Sequence, residues 1–139
     1  MARFFGRYEH SLDQKGRVIL PARFRAAFER GGFLTQFHDR CLALWTQEEF
    51  ENLMTAMQER ATQGRSDRNL ARVWAAGSHE VEVDRQGRMA IPAHLRDFAR
   101  LEGDVLINGA IERVELWNPS VWNEFVAPEE SRLTEGGDD

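Results

Sequence analysis

The chain carries two copies of one pattern, and this duplication constrains its fold more than any other feature. Asp13-Gln14-Lys15-Gly16-Arg17-Val18-Ile19-Leu20-Pro21-Ala22-Arg23-Phe24-Arg25 aligns with Asp84-Arg85-Gln86-Gly87-Arg88-Met89-Ala90-Ile91-Pro92-Ala93-His94-Leu95-Arg96 at a constant offset of 71. Six of the 13 positions are identical and four more stay apolar. A second block follows at an offset of 72, where Leu42-Ala43-Leu44-Trp45-Thr46 matches Val114-Glu115-Leu116-Trp117-Asn118 and Phe50 falls on Trp122. Two blocks repeated in one order mark an internal repeat. The expected organisation is repeat 1 over 5–60, a helical connector over 61–77, repeat 2 over 78–127 and an acidic, disordered tail over 128–139. One such unit has too little apolar surface to be stable alone, so the copies must bury each other.

Each copy has a readable order. Arg7 to Leu12 reads as a strand, Asp13 to Gly16 as a turn and Arg17 to Leu20 as a return strand. Asp can bond backbone two residues on, and Gly accepts the positive φ that closes such a hairpin. Pro21 suits the first turn of a helix near 22–30, with Phe24, Ala27 and Phe28 inward. Phe33 to Phe37 and Leu42 to Trp45 read as a strand pair around His38-Asp39. The second copy repeats this: Val81 to Val83, a turn at Asp84 to Gly87, Arg88 to Ile91, then a helix with Leu95, Phe98 and Ala99 inward. Its later strands are Asp104 to Asn108 and Arg113 to Trp117, with Asn108-Gly109 as the turn signal. Thr46-Gln47-Glu48-Glu49 is a capping box ahead of Phe50, Leu53, Met54 and Met57, which are expected in the core. Asn118-Pro119 opens the matching helix with Trp122 and Phe125. In the connector, Ser66 is the expected cap of a helix carrying Leu70, Val73 and Trp74 and ending at Gly77. The four tryptophans sit at apolar positions and read as core or subunit interface.

Charge and composition exclude several functions. No run of 18 apolar residues exists, so no transmembrane helix is expected. The N-terminal Met1 to Arg7 lacks the apolar core of a signal peptide, which makes a cytoplasmic location the expectation. Cys41 is the single cysteine and reads as a small buried residue, so neither an internal disulfide nor a cysteine zinc site is available. The four histidines are scattered, and no metal or cofactor is expected. No Gly-rich phosphate loop or nucleophile elbow is present, so no catalytic residues and no small-molecule substrate are assigned.

The net charge of −5 argues weakly against nucleic acid, but its distribution does not. Residues 129–139 carry −4, which leaves the remainder near −1, and residues 1–30 carry +4. A near-neutral body with one basic end can present a local positive patch. Arg17 and Arg88 each follow the turn glycine directly, although strand geometry does not demand arginine there. Such a side chain can be solvated, can pair with the turn Asp of its own or a partner chain, or can be a guanidinium aimed at an anion. Lys15, Arg23 and Arg25 flank Arg17, whereas the second copy has Gln86, His94 and Arg96. The first copy is therefore the stronger basic surface.

These residues, from Phe5-Gly6-Arg7 through Arg25 with Asp84 to Arg96 downstream, closely resemble the MraZ family of bacterial transcriptional regulators with tandem SpoVT-AbrB domains. The match covers residues 3–127. The resemblance implies a mainly β fold with short helices (β/α+β), in which two tandem AbrB-like swapped-hairpin repeats form a double-split β-barrel. It implies a ring-shaped homo-oligomer that binds double-stranded DNA at tandem promoter repeats. Repression of the division and cell-wall gene cluster and a nucleoid-associated location follow from the same likeness. In the family the first-copy Asp-x-Lys-Gly-Arg arginine contacts DNA, which carries over to Arg17, with Lys15 as a neighbour. Arg17 is expected to read base edges, while Lys15, Arg23, Arg25 and Arg3 meet phosphates. Arg88 is the second-copy candidate, though Gln86 in place of lysine sets that copy apart. The alternative reading is an antitoxin-like protein-interaction module of the same fold. Such proteins look like one motif copy with a long disordered arm, whereas this chain has two copies and a short arm.

Overall fold

The computed structural model describes residues 1–135. Its strands are β1 (Arg7–Ser11), β2 (Arg17–Ile19), β3 (Gly32–Gln36), β4 (Leu42–Trp45), β5 (His79–Val81), β6 (Arg88–Ala90), β7 (Asp104–Gly109) and β8 (Val114–Trp117). Six of them form one sheet in the order β1-β7-β8-β4-β3-β5, and β2 pairs with β6 as a separate ribbon. Every pairing is antiparallel. The helices are α1 (Ala22–Arg25), α2 (Gln47–Arg60), α3 (Arg65–Gly77), α4 (Ala93–Ala99), α5 (Pro119–Phe125) and α6 (Glu130–Thr134).

The two copies interlock. The sequence reading pairs β1 with β2 inside one hairpin, but β1 instead pairs with β7 of the second copy. The equivalent strand β5 pairs with β3 of the first copy. The turns survive: Gly16 N–H donates to the Asp13 carbonyl at 3.0 Å, and Gly87 N–H to that of Asp84 at 2.9 Å. The strands leaving each turn splay apart and find partners across the repeat, giving the swapped-hairpin arrangement. Val18 opposite Met89 and Ala43 opposite Glu115 are each a residue facing its own repeat equivalent. A pseudo-two-fold axis therefore runs through both the ribbon and the sheet centre.

Burial explains the swap. Val18 and Met89 are 1% and 0% exposed and enter a core with Leu20, Phe24, Phe28, Leu34, Leu44, Ile91, Leu95, Ile107 and Leu116. That core joins ribbon, α1, α4 and one sheet face. The other face is covered by two smaller clusters, one with Trp117 against Trp122 and Val121, one with Trp45 and Phe50 against Trp74. Covering both faces accounts for the unbroken burial of β4 and β8.

Several helices differ from expectation. Thr46 Oγ1 accepts from the Glu49 N–H, the first half of the expected capping box, and Asn118 Oδ1 accepts from Ser120 and Val121, so both helices are N-capped. The first helix is shorter: α1 ends at Arg25 and continues as a 3-10 turn over Ala26–Phe28. Helix α3 is preceded by Gly64 rather than capped by Ser66, which lies inside it. Met54 is exposed rather than core, and Leu70, Val73 and Phe125 also lie exposed on their helices. Part of the segment expected to be a disordered tail forms α6, and the remainder, 136–139, lies outside the described residues. No helix among the described residues is long and apolar enough to cross a membrane.

Candidate nucleic-acid interface

The two Asp-x-x-Gly-Arg turns have one geometry. Asp13 Oδ1 accepts from the backbone N–H groups of Lys15 at 2.8 Å and Arg17 at 2.9 Å, and its Oδ2 accepts from Arg17 Nε at 2.8 Å. Asp84 does the same with Gln86 at 2.9 Å, Arg88 at 2.8 Å and Arg88 Nε at 2.7 Å. The Arg17 backbone N–H is the largest cause holding the Asp13 carboxyl below the ordinary carboxylate range, and Arg88 acts likewise on Asp84. Of the alternatives the sequence left open, pairing with the turn Asp of its own chain is therefore what the structure contains. It does not use up the arginine. Only Nε is engaged, and among the described residues Nη1 and Nη2 of both arginines have no hydrogen-bond partner.

The glycines make this possible. Gly16 and Gly87 have φ of +74° and +83°, values that cost a side chain ~1–2 kcal/mol. Each is also covered by an arginine of the other copy, so that a Cβ at Gly16 would collide with the Arg96 guanidinium and one at Gly87 with that of Arg25. Their carbonyls cross over as well: Leu20 N–H donates to Gly87 at 2.7 Å and Ile91 N–H to Gly16 at 3.0 Å. Each turn is thus clamped by the opposite repeat.

Strand pairing then sets where the arginines point. In the ribbon Arg17 lies opposite Ala90, and Ile19 opposite Arg88. Val18 and Met89 fill the inner face, so Arg17 and Arg88 share the outer one, with Ile19 44% exposed between them. Both arginines line an open cleft of about 770 Å³ against β5, together with Arg30 and His79. The cleft floor is mixed in charge, because Glu29, Glu80, Glu82 and Asp84 also line it. A polyanion is favoured over the ribbon rather than deep in the cleft.

The other expected residues are dispersed. Lys15 at the turn tip and Arg23 on α1 are exposed. Arg25 is half-buried, donates from Nε to the Leu20 carbonyl at 2.8 Å and covers Gly87, so it braces the second turn. Arg3 is exposed but adjoins Phe4, which bridges to Ile111 at the opposite end of β1 from the Asp13 turn. Sequence reasoning did not single out Arg30 and His79, since no pattern marks them. It did align Arg96 with Arg25, and that identity was the available sign of the reciprocal clamp. Cys41 is buried as expected, and burial pushes its thiol well above the usual range. Among the described residues no cluster of three metal-ligating side chains occurs.

Known proteins repeat this organisation. The MraZ family, described as antitoxin-like, matches residues 3–73 and again residues 74–136. A transcriptional regulator MraZ of Acetivibrio thermocellus is 42% identical over 126 residues, covering 91% of this chain and 88% of that protein. The one of Caldanaerobacter subterraneus subsp. tengcongensis is 41% identical over 120 residues, covering 86% and 84%. That of Micrococcus luteus is 38% identical over 136 residues, covering 98% and 95%. With the repeat, the swapped pairing and the paired Asp–Arg turns in place, the chain belongs to the MraZ family.

Proposed function

We propose that the protein is a sequence-specific DNA-binding transcriptional regulator whose β2–β6 ribbon enters the major groove. The observation that carries this reading is the placement of Arg17 and Arg88 on one outer face, each fixed through Nε by an aspartate with its Nη groups unpartnered. A B-DNA major groove admits a two-stranded β-ribbon, and an arginine fork matches guanine O6 and N7. The names of the relatives, transcriptional regulator MraZ, support the same function. Arg17 and Arg88 read bases in this account, and Lys15, Arg23 and Arg3 meet phosphates. Arg25 contributes a phosphate contact while bracing the second turn. The ribbon crossing the sheet is read as the seam of a double-split barrel.

One ribbon on a chain of charge −5 gives modest affinity. A ring-shaped homo-oligomer on tandem promoter repeats supplies the strength through avidity, provided the repeats match subunit spacing. In this reading those repeats lie ahead of the division and cell-wall gene cluster, with repression as the outcome and the cytoplasmic nucleoid as the site of action. The test titrates wild type and Arg17→Ala on tandem-repeat and scrambled DNA. The expected loss on the repeats is about 1–3 kcal/mol per engaged subunit, with weaker discrimination between the two DNAs. Equal affinity of both proteins for the repeats removes Arg17 from the role.

The antitoxin-like description favours a second reading, a module that masks a small protein partner. Two intact copies of the turn, both with outward guanidinium forks, weigh against it. Purification with a stoichiometric partner and no DNA affinity would reverse that judgement.

A further inference from the structure

The two arginine forks share their cleft with carboxylates that nothing neutralises. Glu29, Glu80 and Glu82 line it beside Arg17 and Arg88. All three are exposed, and none has an ion-pair partner among the described residues. Asp84, by contrast, is paired with Arg88 at 2.7 Å. Val81 is 4% exposed and turns into the core, so strand alternation puts Glu80 and Glu82 together on the opposite side of the chain. The three carboxylates outnumber Arg30, the other arginine lining the cleft.

The repeat does not by itself produce this acidic wall. At the offset of 71, Val83 and Ala90 correspond to the larger Leu12 and Ile19, and the exposed Arg30 to Leu101, which is 4% exposed. Glu80 corresponds to Glu9, but Glu29 and Glu82 correspond to Arg100 and Ser11. The equivalent flank of the ribbon is therefore bulkier and lacks two of the three carboxylates.

Duplex DNA offers an arginine fork two kinds of partner. A phosphate accepts its N–H groups with a full negative charge, whereas guanine O6 and N7 accept the same groups with none. We propose that Glu29, Glu80 and Glu82 are specificity determinants, which repel a phosphate from the Arg17 and Arg88 forks and leave the neutral base edge unopposed. The inference rests on the DNA-binding reading above and adds how that site rejects the wrong DNA. Non-specific complexes are held by phosphate contacts, whereas specific ones turn the forks onto bases. The wall weakens the first kind of complex more than the second, so an unfavourable contact with the wrong partner supplies discrimination. A unit charge about 7 Å away in water changes an equilibrium constant roughly threefold. Two carboxylates together then amount to roughly tenfold per engaged subunit.

The test uses the full chain with Glu80→Gln and Glu82→Gln combined, which keeps side-chain size and removes charge at exposed positions. Wild type and variant are titrated on tandem-repeat and scrambled duplexes from low to high salt. Affinity for the scrambled duplex is expected to rise roughly tenfold per engaged subunit at low salt, and affinity for the repeats by no more than about twofold. The gain should shrink as salt shortens the Debye length from about 10 Å toward 3 Å. Glu80→Asp with Glu82→Asp, which keeps the charge, should retain the wild-type preference. If the Gln variant loses its melting transition, Glu29→Gln, in the loop before β3, reads the same effect at roughly threefold. Equal gains on both duplexes mean a general field acting on any DNA, and no gain means that the wall lies away from the nucleic acid. Either result overturns the inference and leaves DNA binding standing. A wild type with no preference for the repeats overturns both together.

Discussion

The two turns share one shape but place their charges differently. Asp13 and Asp84 make the same three hydrogen bonds with distances agreeing to 0.1 Å. Yet the first turn carries Gln14 and Lys15 where the second has Arg85 and Gln86, and Arg23 follows where the second copy has His94. His94 Nε2 is occupied with the Gly77 carbonyl at 3.2 Å, whereas Arg23 is exposed. Shape is duplicated because each turn is clamped by the opposite copy, so neither can drift without dislodging the other. Charge has no such constraint. The protein therefore presents two identically held arginine forks, one flanked by Lys15 and Arg23 and the other by Arg85.

The largest expected effect tests whether setting matters as much as fork. Arg17→Ala and Arg88→Ala each remove one fork and leave the ribbon's inner face intact. Both should cost up to about 1–3 kcal/mol per engaged subunit on specific DNA, with Arg17→Ala the more costly in the proposed binding mode, where Lys15 and Arg23 meet phosphates beside it. Competition titrations read the difference. Equal losses would mean that the forks alone decide, and a silent Arg88→Ala would confine recognition to the first copy.

Next comes the clamp. Gly16→Ala and Gly87→Ala impose ~1–2 kcal/mol of left-handed strain and push aside Arg96 and Arg25 respectively. Thermal or urea unfolding should show similar losses for the two. The displaced arginines are not equally tied down: Arg25 also holds the Leu20 carbonyl, whereas Arg96 Nε is buried without a partner. A markedly larger loss for Gly87→Ala would show that the first copy's arginine is the stronger brace.

Much of this was legible in the sequence. The offset of 71 gave the two copies, and Asp-x-x-Gly-Arg gave the turns, because side-chain and φ requirements are local. Strand partnership was not legible. The alternation of Arg17, Val18 and Ile19 states that one face is buried, but β1 and β6 satisfy that requirement equally as neighbours of β2. Only the collective burial of Val18 and Met89 in one core selects the swap. Helical spacing at Leu70, Val73 and Phe125 likewise marks an apolar stripe without stating what covers it. Arg30 and His79 reach the cleft through the β5 placement, which is itself a product of the swap.

Acid should affect both turns together. The carboxyls of Asp13 and Asp84 are held below their ordinary 3.8, so their contribution is fully present above that value. It is lost as pH falls through the lower folded value. Between about pH 5 and pH 2 the wild-type melting temperature should fall more steeply than that of the Asp13→Asn, Asp84→Asn double variant. Parallel curves would show that the turns are held by burial and not by the carboxylates.

The smallest effect isolates charge from shape. Lys15→Gln removes the tip cation of the first turn, and Gln86→Lys adds a second one beside Arg85 in the other turn. Both positions use only their backbone N–H on the turn aspartate, so neither change disturbs the geometry. Each phosphate contact contributes about 0.9 to the slope of log K against log salt. Lys15→Gln should flatten the slope by roughly that amount per engaged subunit, with specificity unchanged. Gln86→Lys discriminates further. A steeper slope means that position 86 of the second turn already lies against the backbone and lacks only a charge. An unchanged slope, with Arg88→Ala costly, means that its arginine reaches a base while its tip stays in solvent, and the ribbon then sits tilted toward the first copy.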